Sequence, residues 1–188
     1  MTTKYITLIF TILFIVSCST KAQYPKDADC AYLPKITDEN SSEFDSQGIC
    51  GKFIDEDNIK LDPKHFQNLN FDDNNYTTLY TKEPKSRDIK VFYVSKSGKI
   101  VHTFMWDNGA DRFIDGLARV IKKGKFGFIN KKLETVIEPK YDFVESFKNG
   151  KARVCNGCTK QQDGEHYMMV GGKWGAIDKK GKIIEPFE

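Results

Sequence analysis

The stretch that decides the fold is Gly172-Lys173-Trp174-Gly175-Ala176-Ile177-Asp178-Lys179-Lys180-Gly181. An earlier copy, Gly124-Lys125-Phe126-Gly127-Phe128-Ile129-Asn130-Lys131-Lys132, shares its Gly-Lys-aromatic-Gly opening and its polar close. Each copy is followed by an Ile-Glu-Pro tripeptide, at residues 137–139 and 184–186. Self-similarity of this kind is typical of repeat architectures. The chain is therefore predicted to be built from repeats.

The repeat extends upstream of this stretch. The octapeptide FIDGLARV at residues 113–120 returns as FKNGKARV at 147–154, an offset of 34 residues (147 − 113). Between Gly124 and Gly172 the offset is 48, so the second unit carries an insertion of 14 residues (48 − 34) around Cys155 to Tyr167. We assign two good repeats to residues 113–188, divided at 146/147, and degenerate copies to residues 51–112.

Local patterns predict β-hairpins in each unit. Along residues 117–122, alternate side chains point to opposite faces of the predicted strand. The face that carries Ala118 and Val120 is expected to be small and apolar. Gly124 is free to take the positive φ that a tight turn after this strand requires. In mid-strand each repeat has an aromatic, predicted to be a buried core anchor, and then a glycine that permits close backbone approach: Phe126-Gly127 and Trp174-Gly175.

The predicted fold class is mainly β, an array of antiparallel β-hairpin repeats with a short N-terminal irregular or helical segment. No helical periodicity occurs from residue 76 onward. One short helix is predicted over residues 62–69, with Asp62 as its cap and Pro63 at its first position. Phe66 and Leu69 would face inward.

The first 17 residues have the pattern of an export signal. An uncharged run of 12 residues, 5–16, follows Lys4 and is too short for a membrane span, which needs about 20 residues. It leads directly into Ile15-Val16-Ser17-Cys18, which resembles the bacterial lipobox and implies cleavage before Cys18 and acylation of that cysteine. The alternative is ordinary cleavage after Ala22, which would leave a soluble protein. Residues 18–50 are predicted to be a tether and lead-in segment.

Four cysteines remain once Cys18 is assigned to lipid, and four cysteines allow three pairings. An oxidising compartment favours their pairing. The local pattern needs the least loop closure, so bridges are predicted between Cys30 and Cys50 and between Cys155 and Cys158.

The Cys155-Asn156-Gly157-Cys158 segment has three possible roles. Asn-Gly is typical of a hairpin turn, so the segment favours a structural turn disulfide. A redox couple is an alternative, because the Cys-x-x-Cys spacing suits thiol exchange. A metal site with His166 as third ligand is another, although no second Cys-x-x-Cys supports it.

The repeat residues resemble the WG-repeat family of bacterial proteins, also called KWG repeats. Matching elements are Asp115-Gly116-Leu117-Ala118, Asn149-Gly150-Lys151-Ala152, Gly172-Lys173-Trp174-Gly175, the turn at 177–181, and Tyr141-Asp142 after Pro139. Two positions depart from the family pattern, because Phe126 replaces the signature Trp and Leu133 replaces the turn Gly. The chain is also similar to envelope lipoproteins that carry a Cys-Asn-Gly-Cys insertion. The resemblance implies β-hairpin repeats and an interaction role.

No pattern of a catalytic site is present in the sequence. The three histidines are in no nucleophile motif, and Gly-x-Ser-x-Gly, His-Glu-x-x-His and phosphate-loop signatures do not occur. Asp107, Asp115 and Asp142 recur at repeat corners, where an Asp side chain usually bonds backbone amides. The chain is accordingly predicted not to be an enzyme and to require no cofactor or metal.

Seven aromatic residues on alternating strand positions are assigned to core packing rather than to a stacking platform for sugars. They are Tyr76, Tyr80, Phe92, Tyr93, Phe126, Phe128 and Trp174.

The insertion is the candidate binding loop, since insertions in repeats lie on one face and often on the binding face. The candidate binding residues are Arg153, which precedes the insertion, and six residues within it: Asn156, Gly157, Lys160, Glu165, His166 and Tyr167. The predicted function is a cell-envelope lipoprotein, anchored in a membrane by its lipid and facing the periplasm or the exterior, that binds a protein or glycan. The outer membrane is the favoured location. A net charge of +3 gives no general argument for nucleic acid. A redox protein and a structural coat protein are the alternatives.

Overall fold

A computed structural model describes residues 23–31, 46–164 and 166–188. The described residues form strands and one short helix, in the order β1 Lys26–Ala31, β2 Ile49–Phe53, β3 Ile59–Leu61, α1 Pro63–Phe66, β4 Tyr76–Lys82, β5 Lys90–Ser95, β6 Ile100–Thr103, β7 Met105–Trp106, β8 Gly109–Ala110, β9 Leu117–Lys122, β10 Lys125–Asn130, β11 Thr135–Tyr141, β12 Phe143–Val144, β13 Lys151–Asp163, β14 His166–Asp178 and β15 Ile183–Glu185.

The strands form three antiparallel sheets. Nine strands make the largest, in the order β11-β10-β9-β6-β5-β4-β1-β2-β3. A four-stranded sheet follows the order β12-β13-β14-β15, and β7 and β8 form a two-stranded ribbon. Most neighbours in these orders are also consecutive in the chain, so the architecture is a series of hairpins. The mainly β hairpin fold class is confirmed.

The N-terminal part contains a strand that the sequence analysis missed. β1 lies between β2 and β4 in the large sheet, although its residues were assigned to a lead-in segment. The short helix α1 is present, with Phe66 half-buried and Leu69 buried against the core as predicted. Asp62 is its N-cap residue, but the Asp62 side chain makes no capping hydrogen bond.

Two-residue turns recur at the ends of the hairpins. Four of these turns have positive φ at both of their central residues, which matches the type I′ geometry that suits twisted strands. They are Asp107-Asn108, Asp115-Gly116, Lys123-Gly124 and Asn149-Gly150. The predicted positive φ of Gly124 is confirmed, at +69°.

A second type of turn follows the long strands. Asn130 Oδ1 accepts hydrogen bonds from the backbone N–H groups of Lys132 and Glu134, at 2.9 and 3.0 Å. The same pattern recurs at Asp178. In the first turn Leu133 takes the glycine place with a φ of +57°, and its side chain is buried. Burial of that side chain therefore opposes the strain of the left-handed backbone.

The two mid-strand glycines lie under a crossing strand. A Cβ on Gly127 would lie 2.3 Å from the carbonyl oxygen of Ile137, and one on Gly175 would lie 2.9 Å from that of Glu185. The predicted close approach is confirmed for both. At Gly175 the ring of Phe187 also covers the glycine, at 3.3 Å.

An internal comparison shows what the glycine permits. Gly127 lies three residues before the turn residue Asn130, and Phe92 holds the same place before Ser95. Where Phe92 stands, β5 and β6 pair in a regular register. Where Gly127 stands, the β10–β11 register shifts twice and β11 leads out of the large sheet into β12. The glycine therefore marks the place where the sheet ends.

Strand β9 is buried on both faces. Residues 117–120 are all buried, so the strand has no solvent-facing side over this length. The predicted small apolar face is present, with Ala118 and Val120 packed in one core cluster. Arg119 on the opposite face is also enclosed, and it pairs with Asp111.

We predict that Gly127→Ala lowers the free energy of unfolding by about 1–3 kcal/mol, because the new methyl overlaps backbone atoms that cannot move independently. Gly109→Ala is the matched control, since the nearest atom to its Cβ would be 3.8 Å away. Urea denaturation of both variants gives the comparison. Equal stability of the two would contradict the role of the close approach.

Candidate functional site

The insertion in the second repeat is an extended β-hairpin and not a loop. β13 and β14 pair in one register from Lys151 with Asp178 to Asp163 with His166, except at Gly157. The predicted turn at Asn156-Gly157 is therefore wrong, because both residues lie within β13 and the chain reverses at the far end of the hairpin. The longer hairpin satisfies the backbone groups of a polar segment that would otherwise need water.

The cysteines pair locally, as predicted. Cys30 bridges Cys50 with 5.8 Å between Cα atoms, and Cys155 bridges Cys158 with 6.0 Å between Cα atoms. All four residues are buried. Because thiol–disulfide exchange requires access to a sulfur, this burial favours structural bridges over a redox couple.

The ladder of the long hairpin is interrupted beside the second bridge, where Gly157 has no paired partner on β14. Gly157, Gly171 and Gly172 all have positive φ, and a Cβ on Gly172 would lie 2.3 Å from the backbone nitrogen of Cys158. The Asp142 carboxylate accepts a hydrogen bond of 2.6 Å from the Gly157 N–H and pairs with Lys125. The Lys125 ammonium and then this amide lower the pKa of Asp142. Asp142 thus bonds the neighbouring strand and not its own turn.

A cleft of about 580 Å³ opens between this hairpin, β12 and the β7–β8 ribbon. Its walls come from all three elements and from β9 beneath them. The lining residues are Trp106, Arg119, Phe143, Glu145, Ser146, Arg153, Tyr167, Met169 and Trp174.

A row of aromatic rings forms the apolar wall of the cleft. Ring centroids lie 6.2 Å apart from Trp106 to Phe104, 6.2 Å from Phe104 to Phe143 and 6.4 Å from Phe143 to Trp174. Phe126 packs against both Phe104 and Phe143. Tilted and edge-to-face contacts of this kind hold the rings in place. The outer members of the row are open, and Trp106 is 59% exposed.

Two arginine–carboxylate pairs lie along the row, and they are repeat equivalents. Arg119 pairs with Asp111, and Arg153 pairs with Glu145. Both members of the second pair follow those of the first by 34 residues (153 − 119 and 145 − 111), which is the repeat offset. The site is therefore built twice from one motif.

The first pair is enclosed. The side chains of Arg119 and Asp111 are 4% and 3% exposed, and Arg119 Nε donates to Asp111 Oδ1 at 3.1 Å. The guanidinium lies 4.5 Å from the centroid of Phe104 and 5.3 Å from that of Trp106. Arg119 Nη1 also donates to the Val144 carbonyl at 3.4 Å, which joins the large sheet to the four-stranded one. Charge pairing and hydrogen bonds offset the desolvation of both groups.

The carbonyl of Asp111 has a further partner. It accepts a hydrogen bond from the Tyr93 hydroxyl. Burial raises the pKa of Tyr93, so this group stays protonated and donates at physiological pH.

The second pair is open to solvent. Arg153 Nη1 donates to Glu145 Oε1 at 3.0 Å, and about half of each side chain is exposed. The Arg153 guanidinium lies 4.5 Å from the centroid of Trp174, a cation–π contact. In this second copy of the motif, the hydrogen-bond donors of Arg153 and the acceptors of Glu145 are therefore accessible from the cleft.

The predicted site residues are only partly brought together. Arg153 and Tyr167 line the cleft, and the Lys160 ammonium lies over the Tyr167 ring, 3.3 Å from its centroid. Asn156 and Gly157 are exposed on β13 away from the lining. Of the other predicted residues, Glu165 lies outside the described part of the chain and His166 is described only by its backbone, while Cys18 and the signal segment also lie outside it.

The repeat aromatics need a correction. Phe126 and Trp174 are both half-buried, so neither is the fully buried anchor that was predicted. Phe126 packs against the core cluster around Phe128, whereas Trp174 is a wall of the cleft. Of the seven aromatics assigned to the core, Phe92, Tyr93 and Phe128 are fully enclosed. The glycines beside the two aromatics are buried as expected.

Several cleft residues were missed from the sequence. Trp106, Phe143, Ser146 and Met169 had no signal of their own, because they reach the site only through the fold. Arg119 and Glu145 could have been found from the sequence, because an acid precedes an arginine by eight residues in both repeats (119 − 111 and 153 − 145). Among the described residues no three His, Cys, Asp or Glu side chains converge as a metal site would require. Within the same part of the chain, no helix has the length and apolar character needed to cross a membrane.

The fold and the cleft define a repeat protein of antiparallel β-hairpins with a ligand-sized site at the junction of two sheets. Two adjacent segments, residues 92–126 and 126–157, match the family model of the WG containing repeat. Residues 92–157 therefore contain two adjacent copies of this repeat. The matched segments begin at Phe92, earlier in the hairpin than the units drawn at 113–146 and 147–188, and they include residues assigned to a degenerate copy. No curated protein and no solved structure matches the chain.

We predict that Asp111→Asn lowers the free energy of unfolding by about 3–5 kcal/mol, because it leaves the enclosed Arg119 charge without its counter-ion. The repeat-equivalent change Glu145→Gln is the control, with an expected effect of about 0–1 kcal/mol at an exposed pair. Denaturant unfolding of both variants measures the difference. Similar losses would contradict the assigned difference in burial.

Proposed function

We propose that this WG-repeat protein is a non-enzymatic lipoprotein of the cell envelope whose repeat scaffold binds a protein or glycan partner in the cleft. The observation that carries the proposal is the row of partly open aromatic rings beside the accessible Arg153–Glu145 pair. A volume of about 580 Å³ lies within the range of ligand sites, which combine apolar walls with a few fixed polar groups.

The rigidity of the walls supports a binding role. Arg119 is held by four contacts, to Asp111, Val144, Phe104 and Trp106, so the floor of the cleft is fixed before any partner arrives. The Cys155–Cys158 bridge lies at the base of the long hairpin that carries Tyr167. Preorganised walls lower the entropy that binding costs.

The envelope location rests on different grounds. The signal-like segment and Cys18 are features of the sequence alone, and the two buried bridges are typical of proteins that fold in oxidising compartments. Lipid attached to Cys18 would tether the repeats to a membrane, with the outer membrane favoured and the cleft facing the periplasm or the exterior.

We expect Cys18→Ala to move the protein from the membrane fraction to the soluble fraction, since this change removes the acylated residue while leaving the rest of the chain intact. Fractionation of cells followed by immunoblotting measures the shift. A wild-type protein that is already soluble and begins at Gln23 would show that the lipid anchor is absent.

Crosslinking in intact cells tests the binding role. We expect the full-length protein with Cys18 retained to be crosslinked to a partner, and Trp106→Ala to lose most of that product, because the change removes an open wall of the cleft and little core. Ile49→Ala is the control, an exposed apolar residue on β2 in the other part of the large sheet. Equal crosslinking of all three proteins would place the partner elsewhere.

A further inference from the structure

We propose that the cleft binds an uncharged oligosaccharide, with sugar rings stacked on the aromatic row and hydroxyl groups held by Arg153 and Glu145. This inference rests on the proposed function and specifies its ligand class. Three properties of the cleft carry it: its charge balance, its remaining hydrogen-bond capacity and the occupation of its strand edge.

Charge balance excludes strongly charged ligands. Each of the two guanidinium groups in the cleft has its own carboxylate, Asp111 for Arg119 and Glu145 for Arg153. An anion at Arg153 would lie beside the Glu145 carboxylate, which repels it. A cation would meet aromatic faces that the two guanidinium groups already occupy. A neutral ligand requires neither displacement.

The open pair has hydrogen-bonding groups to spare. Within the described part of the chain, Arg153 uses one N–H of its five on Glu145, and Glu145 Oε2 has no partner. The Ser146 hydroxyl also lines the cleft. A donor and an acceptor therefore stand side by side, held by a 3.0 Å ion pair. Adjacent sugar hydroxyls, each of which donates and accepts, match this arrangement.

The aromatic row supplies the apolar contact that a sugar ring needs. The ring faces carry partial negative charge, and the C–H groups on the apolar face of a pyranose carry partial positive charge, so the two attract. Trp106 and Tyr167 are the most exposed rings of the lining, at 59% and 58%. They stand on different elements that face the same space, which suits a chain of several sugars better than a single one.

A peptide strand fits this site less well. Peptides often bind by adding a strand to a free sheet edge. The free edge here belongs to β12, and the Val144 carbonyl on it is already an acceptor for Arg119. Arg153 is the residue of β13 that lines the cleft, and its backbone has a neighbour on both sides, because its carbonyl accepts from the Glu145 N–H and Ala176 faces it on β14.

The chain offers a direct readout of binding. Its only two tryptophans, Trp106 and Trp174, both line the cleft, so intrinsic fluorescence reports on this site alone. The full-length protein in detergent is titrated with maltohexaose, cellohexaose and chitohexaose as neutral probes. Hexagalacturonate serves as the anionic probe and decaproline as the peptide. We expect a saturable change in tryptophan emission with at least one neutral probe and none with the other two.

Variants locate the binding and separate it from folding. Glu145→Gln keeps both tryptophans and is expected to fold normally, yet it removes the charge that holds Arg153 and replaces the free acceptor with an amide donor, so it should weaken binding of the neutral probe about tenfold. Ile49→Ala should bind as the wild type does. The inference is overturned if no neutral probe binds, if hexagalacturonate or decaproline binds instead, or if Glu145→Gln binds with unchanged affinity.

The outcome is distinguishable from that of the crosslinking experiment. A partner lost in Trp106→Ala, with no response to neutral sugars, would retain the binding role and reject the ligand class. Saturable sugar binding in the cleft, with crosslinking unaffected by Trp106→Ala, would retain the ligand class and reject the cleft as the site of partner capture.

Discussion

At the glycine that follows each repeat aromatic, one strand crosses the backbone of another, and the rest of the structure depends on that contact. No side chain fits there, because a Cβ on Gly127 would lie 2.3 Å from a carbonyl oxygen. At the place where Phe92 stands instead, the ladder is regular and the sheet continues. The glycine at this position therefore coincides with an irregular ladder at the edge of the sheet, and the aromatic coincides with a regular one.

The cleft forms beyond that edge. The large sheet ends at β11 and β12 begins a second sheet, and the two sheets meet where Arg119 donates to Val144. The ring of Phe104, which follows β6, and the ring of Phe143 on β12 have their centroids 6.2 Å apart at the junction. The long β13–β14 hairpin closes the third side, where Tyr167 and Met169 of β14 line the cleft. The repeat thus generates both the scaffold and its site.

The sequence predicted the parts that depend on local chemistry. Turns with Gly124, the close approach at Gly127 and Gly175, and the two local disulfides all follow from residue type and spacing, and the structure has them. It did not predict which side chains meet across sheets. Trp106 and Phe143 are far from Trp174 in the chain, and no periodicity connects them. The polar composition of the insertion predicted an irregular loop. Polar residues such as 159–163 nevertheless form a strand, because pairing with β14 satisfies their backbone hydrogen-bonding groups.

The two copies of the acid–arginine motif show how a repeat divides its tasks. In the first copy the β7–β8 ribbon brings Trp106 over Arg119, and the pair is sealed with exposures of 4% and 3%. In the second copy the long hairpin leaves Arg153 beside Trp174 but open to solvent. Removing a sealed counter-ion costs far more than removing an exposed one, so the first pair is constrained by stability. The second is not, and its exposed donors and acceptor are available to a ligand at little cost to folding.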